Sequence, residues 1–341
     1  MRRRTTLIAI ATLLLGVLAV LPSCGNSQGK LGTKMDDASV TKTDDGFKKR
    51  AQPPSSDNDD SLQTILDKDA KVEKLAGNFQ FTEGPLWNPS GFLLFSDIPA
   101  DTIYKITPDG KVEKFRSPAG HPNGNTLDRQ GRLVTAEHDR RLTRTEKNGA
   151  IAILASQYEG KKLNSPNDVV VKSDGSIYFT DPPYGINKEQ EELGFYGVYR
   201  ITTDGKLTLL VKNMVRPNGL AFSPDEKKLY VSDSQEGNIR VFEVNSDGTL
   251  ANQQLFADLK VPDKDPLADG MKVDSRGNVY ATGQEGIWIF SPEGKQLGKI
   301  ALPETPTNVA WGESDYKTLF MTAGRSIYRI RLKIPGIQLG V

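Results

Sequence analysis

Six residues with oxygen-bearing side chains recur along this sequence at the start of a repeated motif. Each is an acid or an amide that precedes an alternating apolar stretch: Glu83, Asn123, Asn167, Asn218, Asp269 and Asn308. Carboxylate and amide oxygens are the ligands that hard divalent cations prefer, and Ca²⁺ takes about 6–8 oxygen ligands. The alternative for any single position is an Asn or Asp that caps its own backbone. Together, the six residues predict one divalent-metal site if the fold brings them close.

The composition bears on the choice of metal. Zn²⁺ favours His and Cys ligands, and the chain has 2 His and 1 Cys. Mg²⁺ usually keeps several waters and demands octahedral geometry. We therefore expect one divalent cation, Ca²⁺ in the first place, with Mg²⁺, Mn²⁺ or Zn²⁺ as alternatives.

The motif itself has the pattern of a β-hairpin, in which a turn rich in Asp, Gly or Ser separates two strands. One copy covers residues 167–181, and further β-like stretches between copies bring each unit to about four strands. The copies recur roughly every 40–50 residues, which is typical of a β-propeller. The sequence therefore predicts an all-β, six-bladed β-propeller with four-stranded antiparallel blades. A sandwich with coincidental hairpins is the alternative.

The predicted propeller also predicts where the six residues meet. The innermost strand of each blade lines the central channel, and the motif opens that strand, so its first residue is expected at one mouth. Residues 71–75 precede the first copy. We expect them to supply the outer strand of the last blade and so close the ring.

The beginning of the chain has the pattern of an export signal. Arg2, Arg3 and Arg4 precede an apolar stretch over residues 7–21, and residues 21–24 read Leu-Pro-Ser-Cys, which resembles a bacterial lipobox. We predict a lipoprotein signal peptide over residues 1–23, a flexible tether over residues 24–61 and the propeller over residues 62–341. Lipid on Cys24 would anchor an exported protein to a membrane. The residues after Cys24 favour the outer membrane or periplasm, and the face of the membrane stays open.

The charge balance limits the classes of partner. The chain has 44 Lys and Arg against 43 Asp and Glu and shows no basic stripe, which argues against nucleic acid. Cys24 is the only cysteine, so no intramolecular disulfide can form. The sequence leaves the oligomeric state open.

Four short motifs resemble the senescence-marker-protein/gluconolactonase/luciferin-regenerating-enzyme-like family. They are residues 83–87 (Glu-Gly-Pro-Leu-Trp), Asn167 with Asp168, residues 216–219 (Arg-Pro-Asn-Gly) and residues 269–271 (Asp-Gly-Met). The stretch over residues 121–144 resembles the bacterial gluconolactonase-like branch. The resemblance implies a propeller with a catalytic divalent cation. It places Glu83, Asn218 and Asp269 on metal ligands, with Asn167 beside the metal or the substrate.

The resemblance also implies hydrolysis of a sugar lactone. The metal would act as a Lewis acid on the lactone carbonyl, and Asp269 falls on the carboxylate proposed as general base. A carboxylate bound to a cation has a lowered pKa, so His138 or Asp168 is an alternative proton carrier. The residues expected to contact substrate are Asn123, Asn125, Asp168 and Arg216.

Two other functions remain open from the sequence. The same metal site would suit an organophosphate or aryl ester, because a cation polarises P=O as well as C=O. A propeller can also serve as a non-catalytic, metal-stabilised module that binds a sugar or a protein, since fold alone does not determine function.

Overall fold

The computed structural model describes residues 58–337. The predicted signal peptide, Cys24 and the tether up to residue 57 lie outside the described residues. The described chain begins with a short helix, α1 (Asn58–Gln63), at the end of the predicted tether. Ile65 follows and is fully buried against the last blade. None of the helices within residues 58–337 has the length and apolar character needed to cross a membrane.

The strands form six four-stranded antiparallel sheets, which are the blades, and one short hairpin. β1 (Glu73–Ala76) belongs to the last blade. Blade 1 contains β2 (Thr82–Asn88), β3 (Phe92–Asp97), β4 (Thr102–Ile106) and β5 (Val112–Arg116). Blade 2 contains β6 (Pro122–Leu127), β7 (Leu133–Glu137), β8 (Arg141–Thr145) and β9 (Ile151–Ala155). The hairpin that follows consists of β10 (Gln157–Tyr158) and β11 (Lys161–Lys162).

The remaining four blades follow in chain order. Blade 3 contains β12 (Val169–Val171), β13 (Ile177–Asp181), β14 (Gly197–Ile201) and β15 (Leu207–Val211), with a 3₁₀ helix at Lys188–Gln190 between β13 and β14. Blade 4 contains β16 (Pro217–Phe222), β17 (Lys228–Asp233), β18 (Asn238–Val244) and β19 (Leu250–Asp258). Blade 5 contains β20 (Ala268–Val273), β21 (Val279–Gly283), β22 (Gly286–Phe290) and β23 (Gln296–Ala301). Blade 6 contains β24 (Pro306–Gly312), β25 (Thr318–Ala323), β26 (Ser326–Arg331) and β1.

The blades close into a ring, which confirms the predicted six-bladed propeller. The innermost strands contact one another in the order β2, β6, β12, β16, β20, β24 and back to β2. The ring is closed by hydrogen bonding, because β1 pairs antiparallel with β26 at the outer edge of the last blade. The expectation that residues 71–75 would supply this outer strand is confirmed for Glu73 and its successors.

The core is divided among the interfaces between blades. Six apolar clusters are present, and each is built from two neighbouring blades. Between blades 6 and 1, for example, Phe320 and Ile327 pack with Leu93 and Phe95. Burying one such side chain stabilises the fold by about 1.5–3 kcal/mol, so each blade depends on both of its neighbours for its stability.

The Gly after several of the oxygen-bearing residues has a steric reason. A Cβ on Gly84 would lie 1.9 Å from the carbonyl oxygen of Asn123 in the next blade, and a Cβ on Gly270 would lie 2.1 Å from Cγ of Asn308. Gly84 also has a φ of +49°, a conformation that disfavours other residues. These glycines let adjacent innermost strands approach each other closely at the channel mouth.

We expect Gly84→Ala to destabilise the protein well beyond Gly110→Ala. Both glycines have a positive φ, but a Cβ on Gly110 would meet nothing within 4 Å, so the pair separates the clash from backbone strain. Strain alone costs about 1–2 kcal/mol, and overpacking adds about 1–3 kcal/mol. Urea unfolding of both variants measures the difference. Equal losses in the free energy of unfolding would contradict the close-approach argument.

Candidate active site at the channel mouth

The residues predicted from the motif come together at one mouth of the channel. Five of the six lie near the start of innermost strands β2, β6, β16, β20 and β24, and Asn167 lies two residues before β12. The pairing register shifts at this point in β2, β6, β16, β20 and β24. A β-bulge redirects a side chain and is common beside active sites. The shift therefore accompanies the turn of each side chain towards the channel.

A chain of amide hydrogen bonds links three successive blades. Asn123 Nδ2 donates to Asn167 Oδ1, and Asn167 Nδ2 donates to Asn218 Oδ1 over 2.6 Å. On the other side of the ring, Asn308 Nδ2 donates to Glu83 Oε2 over 3.3 Å. Asp269 belongs to the same buried cluster, because Asn218 and the charge of Glu83 both act on its carboxylate.

The expectation that each of the six residues turns its oxygen towards the channel is corrected for Asn308. Asn308 Oδ1 accepts the backbone N–H of Val309 over 2.9 Å, so this oxygen caps its own strand. Asp168 does the same with Oδ1, which accepts the N–H of Val169 over 2.9 Å. The backbone-cap alternative therefore holds for these oxygens, as it does for Glu83 Oε2, which accepts the N–H of Gly84 over 2.9 Å, and Asn308 also supports Glu83 through its Nδ2.

The two ring carboxylates have perturbed pKa values. Burial, with the charge of Asp168 adding to it, raises the pKa of Glu83 to about 7. Burial and the charges of Glu83 and Asp168 raise the pKa of Asp269 well above its usual range. Like charges in a desolvated cluster each disfavour the ionised form of the others. A cation among them would remove that penalty.

Two buried carboxylate oxygens that lack hydrogen-bond partners also favour a bound cation. Asp269 Oδ1 and Asp168 Oδ2 are buried and make no hydrogen bond among the described residues. An unsatisfied buried oxygen costs about 1–3 kcal/mol, more when it is charged. Within residues 58–337 there is no cluster of three or more His, Cys, Asp and Glu side chains suited to a metal. The donors here are carboxylates with amides, which suit a hard cation of the Ca²⁺ type.

His138 lies beside this cluster. Its Nε2 is 3.1 Å from Asn123 Nδ2, and burial lowers its pKa to about 4. The imidazole is therefore neutral near pH 7, and Nε2 accepts from the amide, which leaves the proton on Nδ1. Gly185 packs on the other side of this residue, since a Cβ there would be 2.6 Å from His138 Cβ.

Asn125 was expected to contact substrate, but its side chain is hydrogen-bonded within the protein. Its Nδ2 donates to the carbonyl oxygen of Gly84 and to Ser96 Oγ, over 2.9 and 2.8 Å, and its Oδ1 accepts from Thr135 Oγ1 over 3.0 Å. These bonds join blades 1 and 2. The side chain thus holds the ring together and has its polar atoms engaged within the protein.

Tyr184 is a site residue that the sequence reasoning missed. Its Oη accepts from Asn218 Nδ2 over 3.2 Å and also contacts Ser234 Oγ. The guanidinium of Arg216 stacks 5.4 Å above its ring. Tyr184 comes from the loop between β13 and β14, outside the repeated motif. The pair of prolines before it, Pro182 and Pro183, was the one available signal of a fixed loop.

Acids at the ends of second strands position the segments that lead into the ring. Asp233 Oδ2 accepts the N–H of Val215 over 2.7 Å, and its Oδ1 accepts the N–H of Arg216 over 3.1 Å. Asp97 holds the N–H groups of Gln80 and Phe81 in the same way in blade 1. In blades 1 and 4, the Asp at the end of the second strand therefore orients the backbone just before the ring residue.

Comparison with known proteins agrees with the fold. The family model for the SMP-30/Gluconolactonase/LRE-like region matches residues 81–325. A gluconolactonase from Zymomonas mobilis is 37% identical over 308 residues, covering 81% of this chain and 85% of that protein. A solved gluconolactonase structure from Xanthomonas campestris is 35% identical with a TM-score of 0.73, covering 83% of this chain and 98% of that one.

A more distant structure shares the fold. Regucalcin from Agrobacterium tumefaciens, described as a calcium-binding protein, is 17% identical with a TM-score of 0.68, covering 79% of this chain and 96% of that one. The family model spans most of the described propeller and includes every ring residue from Glu83 to Asn308. The chain belongs to the SMP-30/gluconolactonase/LRE-like family.

Proposed function

We propose that this protein is a hydrolase that opens a sugar lactone in the manner of a gluconolactonase. The observation that carries the proposal is the buried cluster of Glu83 and Asp269 with the amides of Asn167 and Asn218, in which Asp269 Oδ1 has no hydrogen-bond partner. The similarity to gluconolactonases over more than four-fifths of their length supports the same reaction class.

The cluster suits one divalent cation, and we propose Ca²⁺. Glu83, Asn167, Asn218 and Asp269 would hold it through two carboxylates and two amides, with water and substrate supplying further oxygens. When bound, such a cation polarises a lactone carbonyl and stabilises the negative charge that develops on its oxygen.

Asp269 is the proposed general base. Burial and the charges of Glu83 and Asp168 raise its pKa, which favours proton acceptance, whereas a bound cation lowers it. Water adds to the carbonyl carbon as its proton passes to Asp269. The bond from that carbon to the ring oxygen then breaks, and the ring oxygen takes up the proton as the hydroxyl of the open acid.

His138 is a weaker candidate for that role. Its lowered pKa of about 4 leaves it neutral but poorly basic. Its contact with Asn123, which in turn donates to Asn167, assigns it to orienting the amide chain. We propose that Asn123, Arg216 and Tyr184 form the wall that faces the sugar hydroxyls.

We expect Asp269→Asn to reduce turnover of glucono-δ-lactone by about 10²–10⁴-fold, the usual contribution of a general base. The control is Asp225→Asn, the same change in the turn between β16 and β17, and it should retain activity. A pH-stat assay with and without chelator measures acid release. Turnover of phosphotriesters or aryl esters alone would replace the lactonase proposal, and metal binding without any turnover would favour a binding module.

We expect Ca²⁺ affinity to fall as the pH decreases from about 8 to about 6. Glu83 must be ionised to bind a cation, and its raised pKa of about 7 means that a proton occupies it below that pH. Each displaced proton lowers the apparent affinity by about tenfold per pH unit below the pKa. Calorimetric titration of chelator-treated protein at several pH values measures this. An affinity that stays constant over this range would contradict the perturbed carboxylate.

We also propose export and membrane anchoring through Cys24, with residues 1–23 removed as a signal peptide. Lipid on the thiol is the sole anchor in this proposal, so Cys24→Ser should move the protein from the membrane fraction to the soluble fraction of cells. Fractionation followed by immunoblotting, with Ser27→Thr as a control that keeps the thiol and residues 21–24, measures the change. Retention of the Cys24→Ser protein in the membrane fraction would argue for a different anchor.

A further inference from the structure

The six innermost strands described here contain a single basic residue, Lys272 in β20. Regular strand alternation would place Lys272 on the face of β20 opposite to that of Asp269 and Met271. The register shift between Ala268 and Met271 interrupts this alternation. Met271 and Val273 pack into the apolar cluster between blades 4 and 5. Lys272 consequently faces the channel, as Asp269 does.

Lys272 lies partly buried in the channel. Its side chain is 22% exposed and lines a cavity of about 330 Å³, whose walls include the apolar Leu127, Val170 and Trp311 and the charged Asp128, Arg129, Asp225 and Glu226. A charged group in such a place is costly unless opposite charges compensate it. The position therefore calls for a partner deeper in the site.

The nearest compensating charge is Asp168. Lys272 Nζ lies 3.8 Å from Asp168 Oδ2 and donates to the carbonyl oxygen of Met271 over 3.0 Å. Asp168 Oδ2 is the buried oxygen that makes no hydrogen bond. Within the described residues, Lys272 is thus the favourable ionic partner of this oxygen, and the field of Lys272 also reaches Glu83, whose ionised form it favours.

The charges inside the carboxylate cluster form a simple balance, from which Arg216 is left out because its guanidinium stacks on Tyr184 and pairs with none of the three acids. Glu83, Asp168 and Asp269 carry three negative charges when ionised, and Lys272 carries one positive charge. The remainder is two negative charges, which one divalent cation neutralises. Unbalanced charge in a desolvated cluster is strongly unfavourable.

We propose that Lys272 is the internal counter-ion that fixes the charge of this site at the value of a single divalent cation. This inference rests on the metal site of the proposed function. Lys272 neutralises Asp168, so that Glu83 and Asp269 are left to one divalent cation, and a trivalent cation leaves one positive charge in excess. Lys272 is a positioning residue in this role and does not contact the reacting atoms.

The test measures cation binding to the chelator-treated full chain by calorimetry, once with Ca²⁺ and once with Tb³⁺. Lys272→Met removes the charge and keeps the length of the side chain. We expect it to bind Ca²⁺ at least about tenfold more tightly, because a nearby repelling charge is lost. Its preference for Tb³⁺ over Ca²⁺ should rise by a further factor of about ten, since the trivalent ion now balances the site.

Two controls separate this role from general charge and from packing. Lys228→Met removes the same charge from β17, away from the channel, and should leave both affinities within about twofold, as expected for a remote screened charge. Lys272→Arg keeps the charge and should retain the wild-type preference between the two ions. If Lys272→Met proves unstable, Lys272→Gln serves in the same titrations.

The outcomes are distinct from those that test the lactonase. A folded Lys272→Met protein with wild-type affinities and an unchanged Tb³⁺ preference would overturn the counter-ion role while leaving the metal site in place. A wild-type protein that binds neither ion would overturn both the metal site and this inference. Loss of turnover with normal ion binding would affect the proposed reaction alone.

Discussion

The arrangement depends on holding like charges together in a desolvated place. Burial and the charge of Asp168 raise the pKa of both Glu83 and Asp269, and the charge of Glu83 adds to the shift of Asp269. Without the constraint of the fold, the three carboxylates would move apart into water. Each acid is instead carried by a different blade, so the carboxylates can separate only if the ring opens. The stability of the propeller therefore maintains a site that is itself unfavourable without a cation.

The ring resists opening because several independent contacts cross each blade boundary. The apolar clusters between blades supply most of the favourable burial, and the pairing of β1 with β26 closes the circle. Near the mouth, Asn125 ties blade 2 to Gly84 and Ser96 of blade 1. The glycines beside the ring residues allow this proximity, because side chains at Gly84 and Gly270 would meet the next blade. The motif residues thus serve the fold and the site together.

The repeat made the fold and most of the ring predictable from sequence. The recurring period fixes the number of blades, and its first position coincides with the innermost strand. The roles of Tyr184 and Lys272 were not predictable in this way. Tyr184 comes from a loop outside the repeat, and Lys272 reaches the channel through a register shift that period-two alternation does not reveal. The role of Asn308, whose oxygen caps its own strand, could not be predicted either, because it depends on local backbone geometry.

The use of amides beside acids follows from the same electrostatics. An amide oxygen ligates a hard cation almost as a carboxylate does, but it brings no charge that must be balanced when the cation is absent. Asn123, Asn167 and Asn218 can therefore hydrogen bond to one another across blades, as three carboxylates could not. Replacing any of them by Asp would add a negative charge to a cluster that already disfavours ionisation. Neutral donors let the propeller concentrate oxygens on its axis while keeping the number of acids small enough for one cation and one lysine to offset.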